Sequence, residues 1–371
     1  MTEQRSIVVI LDGSIAVTGA FVSAREMARS LKEDADVILL TPDTALLQDE
    51  EMSDFSEVHR LPIRPLRRNF KDVSLYLPRL ARTALYLRRR LSRYPNAVLL
   101  VNDFYLVEAS LLRFLGYRAQ IFTWVRIDPD VFGRVGRFWL QLSSLFSDRI
   151  IAVSRHIQSL LPERISSELI YDPVSAEFLP CPEAKYSDHL TFVFVGNYID
   201  GKGQDIAIEA FSQIFSSFPN SRLKFYGGDM GLSRNRIYRK KLETQAASLG
   251  VADAITFGDF VKDPRSVLEG AFVALNLSRS ESFSRTVLEA SACGLPIIAT
   301  KCGGPAEIVR DGETGIMIPV DNIAACVEAM HSLCIDPDRA AKMGAAGRER
   351  VMKVFSPQAF SQRLQTLLAE T

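Results

Sequence analysis

Two glutamates eight positions apart, Glu281 and Glu289, and a lysine in a glycine-rich turn, Lys202, are the side chains whose type and spacing invite chemistry. Between the glutamates, Ser284 is a suitable N-cap for a helix through Thr286, Leu288 and Glu289. The N–H groups of that helix's first turn would then form an anion site. A carboxylate before the helix and another two turns later cannot both be caps. Glu281 lies where it could accept hydrogen bonds from sugar hydroxyls, and Glu289 could accept from the two hydroxyls of a ribose. Taken alone, the spacing also describes a loop Glu281 and a solvent-facing Glu289.

Lys202 closes the run Gly196-Asn-Tyr-Ile-Asp-Gly201-Lys202-Gly203, directly after the strand-like TFVFV. The spacing satisfies GxxxxGK, but Gly203 stands where a nucleoside triphosphatase needs Ser or Thr for Mg²⁺, and there is no convincing apolar strand that ends in the partner aspartate. What survives is a lysine and free backbone N–H groups at a strand-to-helix turn, which favour a phosphate. Asp128-Pro129-Asp130 imitates a metal-binding pair of carboxylates, yet the same tripeptide recurs at Asp336-Pro337-Asp338, and its composition is that of a turn. His59, His156, His189 and His331 are dispersed without metal-ligand spacing, and no GxSxG is present.

The elements that must position these residues alternate. Apolar strand-like runs at 6–11, 36–41, 97–102, 121–125, 149–153, 191–196, 222–228, 254–257, 273–277 and 296–300 are separated by helical stretches such as Phe21–Leu31, Ile206–Phe218 and Arg285–Ala292. Buried strands joined by crossover helices predict an α/β, doubly wound fold of parallel sheets. Residues 171–189, with Pro173, Pro180 and Pro182, break the rhythm and read as a linker. The expected division is an N-terminal Rossmann-like acceptor-binding domain over 1–175, a linker over 176–189, and a donor-binding Rossmann-like domain over 190–354. The two are expected to face each other across a cleft, with ligands outside the carboxyl ends of the strands.

With 371 residues, 47% of them apolar, and 44 basic against 44 acidic side chains, the chain has the profile of a globular protein and no global field that would favour nucleic acid. Five thinly spread cysteines without a CxxC pair fit a reduced, cytoplasmic chain. No apolar run approaches the roughly 18 residues of a membrane span. One stretch is strongly biased: Arg60 to Arg93 holds eleven Lys or Arg and one acid, Asp72. Within it Leu77, Leu80, Ala84, Leu87 and Leu91 recur at helical spacing. It reads as a core-facing helix with a solvated basic face, or as a peripheral contact with anionic headgroups at the inner membrane surface or with a phosphorylated acceptor.

The run from Ser280 through Pro319, with its Glu, seven residues, Glu spacing, ASACGLPIIAT, Gly303-Gly304-Pro305, Glu307 and DGETGIMIP, resembles the signature of family-four retaining glycosyltransferases of the GT-B fold. The resemblance extends through VGNYIDGKGQDIAIEAF. In the N-terminal half it rests on the first strand, Thr18-Gly19-Ala20 and AVSRHIQ. It implies a metal-independent enzyme without a cofactor that moves a hexose from a UDP- or GDP-sugar to a glycan or lipid-linked acceptor in polysaccharide or glycoconjugate biosynthesis. Lys202 would neutralise the donor diphosphate, Glu289 would bind ribose, and Glu281 would sit near the hexose. Ser282, Phe283, Ser284, Arg285 and Thr286 would line the sugar and phosphates, and Gly19 would allow close approach of the opposite domain. Residues 355–371 resemble the last family helix, which returns to the first domain.

The sequence departs from the family at two places. Asn197 follows Gly196 where an arginine is usual, removing a positive charge from the diphosphate site, for which Arg285 or Arg279 could compensate. Arg126 stands where many relatives carry a cleft histidine, with acceptor-phosphate binding or a structural part as its alternative roles. A nucleotide-sugar 2-epimerase of the same fold and a non-catalytic nucleotide-sugar-binding partner protein are the competing readings.

Overall fold

The structure is a computed structural model, described for residues 5–64, 75–179 and 190–370. It divides into two units, one built from the residues up to Pro173 together with those from Pro357 onward, the other from Val174–Ser356. The expected linker falls, for residues 180–189, outside the described residues, as do residues 65–74 of the basic stretch.

In the first unit, β1 (Ser6–Leu11), β2 (Ala35–Pro42), β3 (Glu57–Leu61), β4 (Val98–Val101), β5 (Ile121–Val125), β6 (Arg149–Ala152) and β7 (Glu168–Leu169) form a parallel sheet in the order β3-β2-β1-β4-β5-β6-β7. Val9 lies opposite Ile38 on one side and Leu99 on the other. These central strands are apolar on both faces because helices cover both. The helix Gly19–Leu31 is capped by Thr18, whose hydroxyl accepts from the Phe21 N–H at 3.3 Å. Against it lies the terminal helix Pro357–Ala369, which buries Phe360, Leu364 and Leu367. Ser361 Oγ donates to the Ser30 carbonyl, and Gln365 Nε2 to Asp34.

In the second unit, β8 (Thr191–Val195), β9 (Arg222–Tyr226), β10 (Ile255–Gly258), β11 (Val273–Asn276), β12 (Ile297–Thr300) and β13 (Gly315–Ile318) pair in the order β10-β9-β8-β11-β12-β13. Its core packs Phe192, Phe194, Phe211, Leu275, Met330 and Leu333 around the sheet. The chain order reverses between β8 and β11, and turns from both strands emerge there side by side.

Three strands are additional to those expected. β3, EVHRL, and β13 lie at sheet edges, where one flank needs no continuous apolar run, and β7 is only two residues long. Leu77 corrects the expected apolar stripe of its helix. Leu80, Ala84, Leu87 and Leu91 are buried, but Leu77 lies in the first turn of Tyr76–Leu91, on the border of the buried face, and is exposed.

Candidate functional site

The turn after β8 runs into the helix Gln204–Phe215 through Gly203, whose φ of 85° only glycine adopts without strain. A Cβ there would also collide with the Leu277 carbonyl, so Gly203 lets the β8 turn press against the chain leaving β11. The neighbouring turns are tied again by Arg279 N–H, which donates to the Gly201 carbonyl at 2.9 Å. This close approach carries Lys202 to Glu281: the ammonium donates to Oε1 at 2.7 Å.

Glu281 is held on three sides. Its N–H donates to the Cys302 carbonyl, its own carbonyl accepts from Gly304 N–H at 2.8 Å, and Ser278 Oγ donates to Oε1 at 2.8 Å. Thr300 Oγ1 in turn fixes the Ser278 carbonyl at 2.5 Å. Gly304 has no room for a Cβ against Phe283, so the Gly303-Gly304 turn clasps the loop that carries the carboxylate. Burial pushes the Cys302 thiol up, opposed by its hydrogen bond with Thr300, and Cys302 serves here through its main chain.

Ser284 occupies the N-cap position of the helix Arg285–Ala292, but its hydroxyl does not cap. Its backbone sits at φ 82°, and its Oγ accepts instead from Asn276 Nδ2 at 3.1 Å. The expectation of a capping Ser284 is therefore corrected in its side chain: the left-handed backbone turns the hydroxyl toward the end of β11 instead of onto the helix. Thr286 Oγ1 lies 3.4 Å from the same amide. Further along, Arg285 Nη2 donates to Glu289 Oε1 at 3.3 Å and to Ser175 Oγ at 3.1 Å, and both charged side chains are largely buried. Phe283 packs its ring on Phe355.

Asn197 is a clasp. Its Oδ1 accepts from Gly228 N–H at 2.9 Å, and its carbonyl accepts from Gln204 Nε2 at 2.9 Å and from Ile199 N–H. Arg279, a candidate to replace the missing arginine, is half exposed and paired with Asp321 at 2.9 Å. Arg285 is engaged with Glu289. Lys202 is thus the cation that reaches the Glu281 turn.

Gly19 and Arg126 belong to the other unit. Gly19 opens the helix Gly19–Leu31 and is exposed. Arg126 is buried just after β5: Nη1 contacts both oxygens of Asp172 at 2.7 Å, and Nε donates to Asn102. Nearby Asp103 accepts from Arg126 N–H and is pushed up to about 7 by burial. Arg126 therefore binds strand ends together, and Nη2 is the guanidinium nitrogen left without a partner among the described residues. Asp128-Pro129-Asp130 forms a turn: Asp128 Oδ1 accepts from Asp130 N–H at 2.8 Å, and Asp130 pairs with Arg137.

Asn276, Ser278, Thr300 and Gln204 are the positioning residues that spacing did not single out. Asn276 carried a signal, being an amide that ends an otherwise apolar strand, VALN. The other three act through single hydrogen bonds that no pattern announces.

A lysine, a carboxylate, a helix N-terminus and a largely buried Arg–Glu pair gather at the reversal point of a doubly wound sheet, the place where sheets of this kind bind ligands. Residues 176–350 match the family model Glycosyl transferases group 1. It is 28% identical over 245 residues to the GDP-mannose-dependent alpha-(1-6)-phosphatidylinositol monomannoside mannosyltransferase of Mycolicibacterium smegmatis, covering 60% of this chain and 62% of that protein. With the D-inositol 3-phosphate glycosyltransferase of Acidothermus cellulolyticus it shares 35% over 162 residues, 42% of this chain and 36% of the relative. The matches thus span between about a third and three-fifths of those relatives. In fold it is similar to HepE of Anabaena, solved with UDP and glucose, at a TM-score of 0.83 and 18% identity, covering 99% of this chain and 100% of that one. Sucrose-phosphate synthase from Thermosynechococcus elongatus gives 0.80 and 20%, with 99% of both chains covered. The fold is GT-B.

Proposed function

We propose that the protein is a retaining, metal-independent glycosyltransferase that moves a hexose from a UDP- or GDP-sugar to a glycan or lipid-linked acceptor. The observation that carries the reading is the Lys202–Glu281 contact, made by the loop that leads into the helix Arg285–Ala292. Departure of a nucleoside diphosphate adds negative charge to the leaving oxygen while the sugar becomes cationic. Lys202 and the N–H groups of the helix start are fixed positive poles suited to that oxygen, and removing one such donor costs about 10²–10³ in rate. Glu281 would give up part of its hold on Lys202 and accept from the hexose hydroxyls, orienting the sugar. Glu289 would accept from the ribose.

Retention requires attack from the face that the diphosphate leaves, with the leaving oxygen taking the acceptor proton, so no side chain is assigned as nucleophile. No metal or cofactor is called for in this scheme. Relatives named as acting on phosphatidylinositol mannoside and inositol phosphate support an acceptor of that general kind, a polyol that carries phosphate or lipid. Arg126 Nη2 is the group the first unit would offer such a phosphate. A cytoplasmic location at the inner membrane surface, with contact through the basic stretch from Arg60 to Arg93, completes the proposal.

The test is incubation with UDP- and GDP-hexoses in EDTA with inositol phosphate and lipid-linked acceptors, the product's anomeric configuration being read by NMR. Transfer with the donor's configuration is the expected result. Release of a 2-epimer without acceptor would make the protein an epimerase, and binding without turnover would make it a non-catalytic partner.

A further inference from the structure

Three elements of the first unit make one continuous outer layer on its sheet: the helices Tyr76–Leu91 and Gly133–Phe146, and the segment after β4 that lies between them. Tyr76 packs on Trp139 with ring centroids 6.4 Å apart, and Phe114 on Phe146 at 4.8 Å. Arg88 Nε donates to the Leu115 carbonyl at 3.1 Å.

The outward side of this layer has an unusual composition for a water-facing surface. Leu77 is 71% exposed, Phe114 69%, Leu145 66% and Phe138 57%, with Leu85 and Val135 exposed beside them. Arg82, Arg89, Arg134 and Arg137 are exposed on the same helix faces. Neither helix contains a carboxylate: their sequences are YLPRLARTALYLRRRL and GRVGRFWLQLSSLF. Among the described residues at its border, Asp130 is paired with Arg137 and Asp148 with Arg113, and Asp128 also lies near Arg137. Scattered apolar side chains are ordinary, but apolar groups alternating with guanidinium groups over two adjacent helices are not.

We infer that this face docks on an anionic lipid bilayer, with Leu77, Leu85, Phe114, Phe138 and Leu145 entering the boundary between headgroups and acyl chains and the arginines lying among the phosphates. Charge complementarity selects the occupant. A face with cations and no carboxylate on either helix matches a continuous anionic surface, whereas a second copy of the same face would bring arginine against arginine. Arginine suits the phosphate layer because its guanidinium donates to two phosphate oxygens at once. The inference extends the membrane contact of the proposed function from the basic stretch to a second helix, and rests on that reading only for its purpose, access to a lipid-linked acceptor. Binding itself is measured without donor or acceptor, so its failure and that of the transfer reading are distinguishable.

The full chain would be co-sedimented with vesicles of phosphatidylcholine, with and without phosphatidylglycerol, over a salt series. Wild type should bind the anionic vesicles and not the neutral ones. Arg82→Ser/Arg89→Ser should weaken binding roughly tenfold or more and flatten its salt dependence. Phe138→Ser/Leu145→Ser should weaken it by roughly tenfold while leaving the salt slope intact, and Gln141→Trp should strengthen it. Each change is at a side chain exposed to water, and an unchanged thermal transition verifies the fold of each variant. Equal partition of all variants would overturn the inference. So would a concentration-dependent dimer, seen by sedimentation velocity without lipid and abolished by Phe138→Ser/Leu145→Ser, which would make the face an interface between copies.

Discussion

Lys202 Nζ and Glu281 Oε1 lie 2.7 Å apart, joining the turn after the first strand of the second sheet to the turn after its fourth. The lysine that a diphosphate would meet is therefore already neutralised by a carboxylate, itself steadied by Ser278. On the proposed function an incoming nucleotide would share or displace that partner, and diphosphate binding would be coupled to release of Glu281 toward the sugar.

Glu281→Gln keeps the shape and removes the charge. It should tighten binding of UDP or GDP several-fold, since Lys202 is then uncompensated, by about 1 kcal/mol even at the dielectric of bulk water. The rate of hexose transfer should fall by about 10² or more, because the carboxylate's hold on the sugar is lost. Calorimetry and single-turnover rates measure the two effects separately. Weaker nucleotide binding in Glu281→Gln would contradict the coupling.

Glu289 pairs with Arg285 across one helical turn. If it accepts from ribose hydroxyls, wild type should prefer the ribonucleoside diphosphate over its 2′-deoxy analogue by about tenfold, the worth of one buried hydrogen bond. Glu289→Ala should bind both equally, in a competition assay. A preference that survives the substitution would remove Glu289 from the ribose site.

Much of this arrangement was legible in the residues. The glycine pattern around Lys202 marked a strand-to-helix turn, and the order of apolar runs marked doubly wound sheets, because buried parallel strands demand continuous apolar stretches. The Glu281–Glu289 spacing placed one carboxylate before a helix and the other on it. The direct Lys202–Glu281 contact was not legible, since 79 residues separate the two and only the strand order brings them together. Ser284 was misread as a side-chain cap because a left-handed serine leaves no trace in composition. Leu77 sits in the first turn at the border of the buried face, and periodicity alone does not report how far burial extends toward a helix end.

Gly203 combines a positive φ with contact against the Leu277 carbonyl. Gly203→Ala should cost about 2 kcal/mol or more and displace the Lys202 turn. Thermal denaturation should show a drop of several degrees, with nucleotide affinity falling in parallel. An unchanged transition would show that the β8 turn does not depend on this contact.

Glu108 is buried and pushed up to about 7 by that burial. A carboxyl raised in the folded state stabilises it below its ordinary value of 4.5, and that contribution is lost as pH rises through the window from 4.5 to about 7. Glu108→Gln should therefore stabilise the protein relative to wild type at pH 8, on the order of 1–3 kcal/mol, and by much less at pH 5. Denaturant titrations at the two pH values test the sign. A gain that shrinks as pH rises would show that the carboxylate form has a partner in the folded chain.

On the proposed function, Lys202 and the start of the helix Arg285–Ala292 form the diphosphate site of a sugar-nucleotide donor. Its most direct test is a thermal-shift series of wild type and Lys202→Ala with UDP, GDP, ADP and ATP, each in EDTA and in Mg²⁺. A ligand at about 100 times its dissociation constant adds roughly 2.7 kcal/mol, enough to move the transition by several degrees. UDP or GDP should stabilise wild type in EDTA if this is the diphosphate site, and Lys202→Ala should lose that stabilisation. Stabilisation by ATP with Mg²⁺ alone, or a UDP or GDP shift that persists without the lysine, would contradict it.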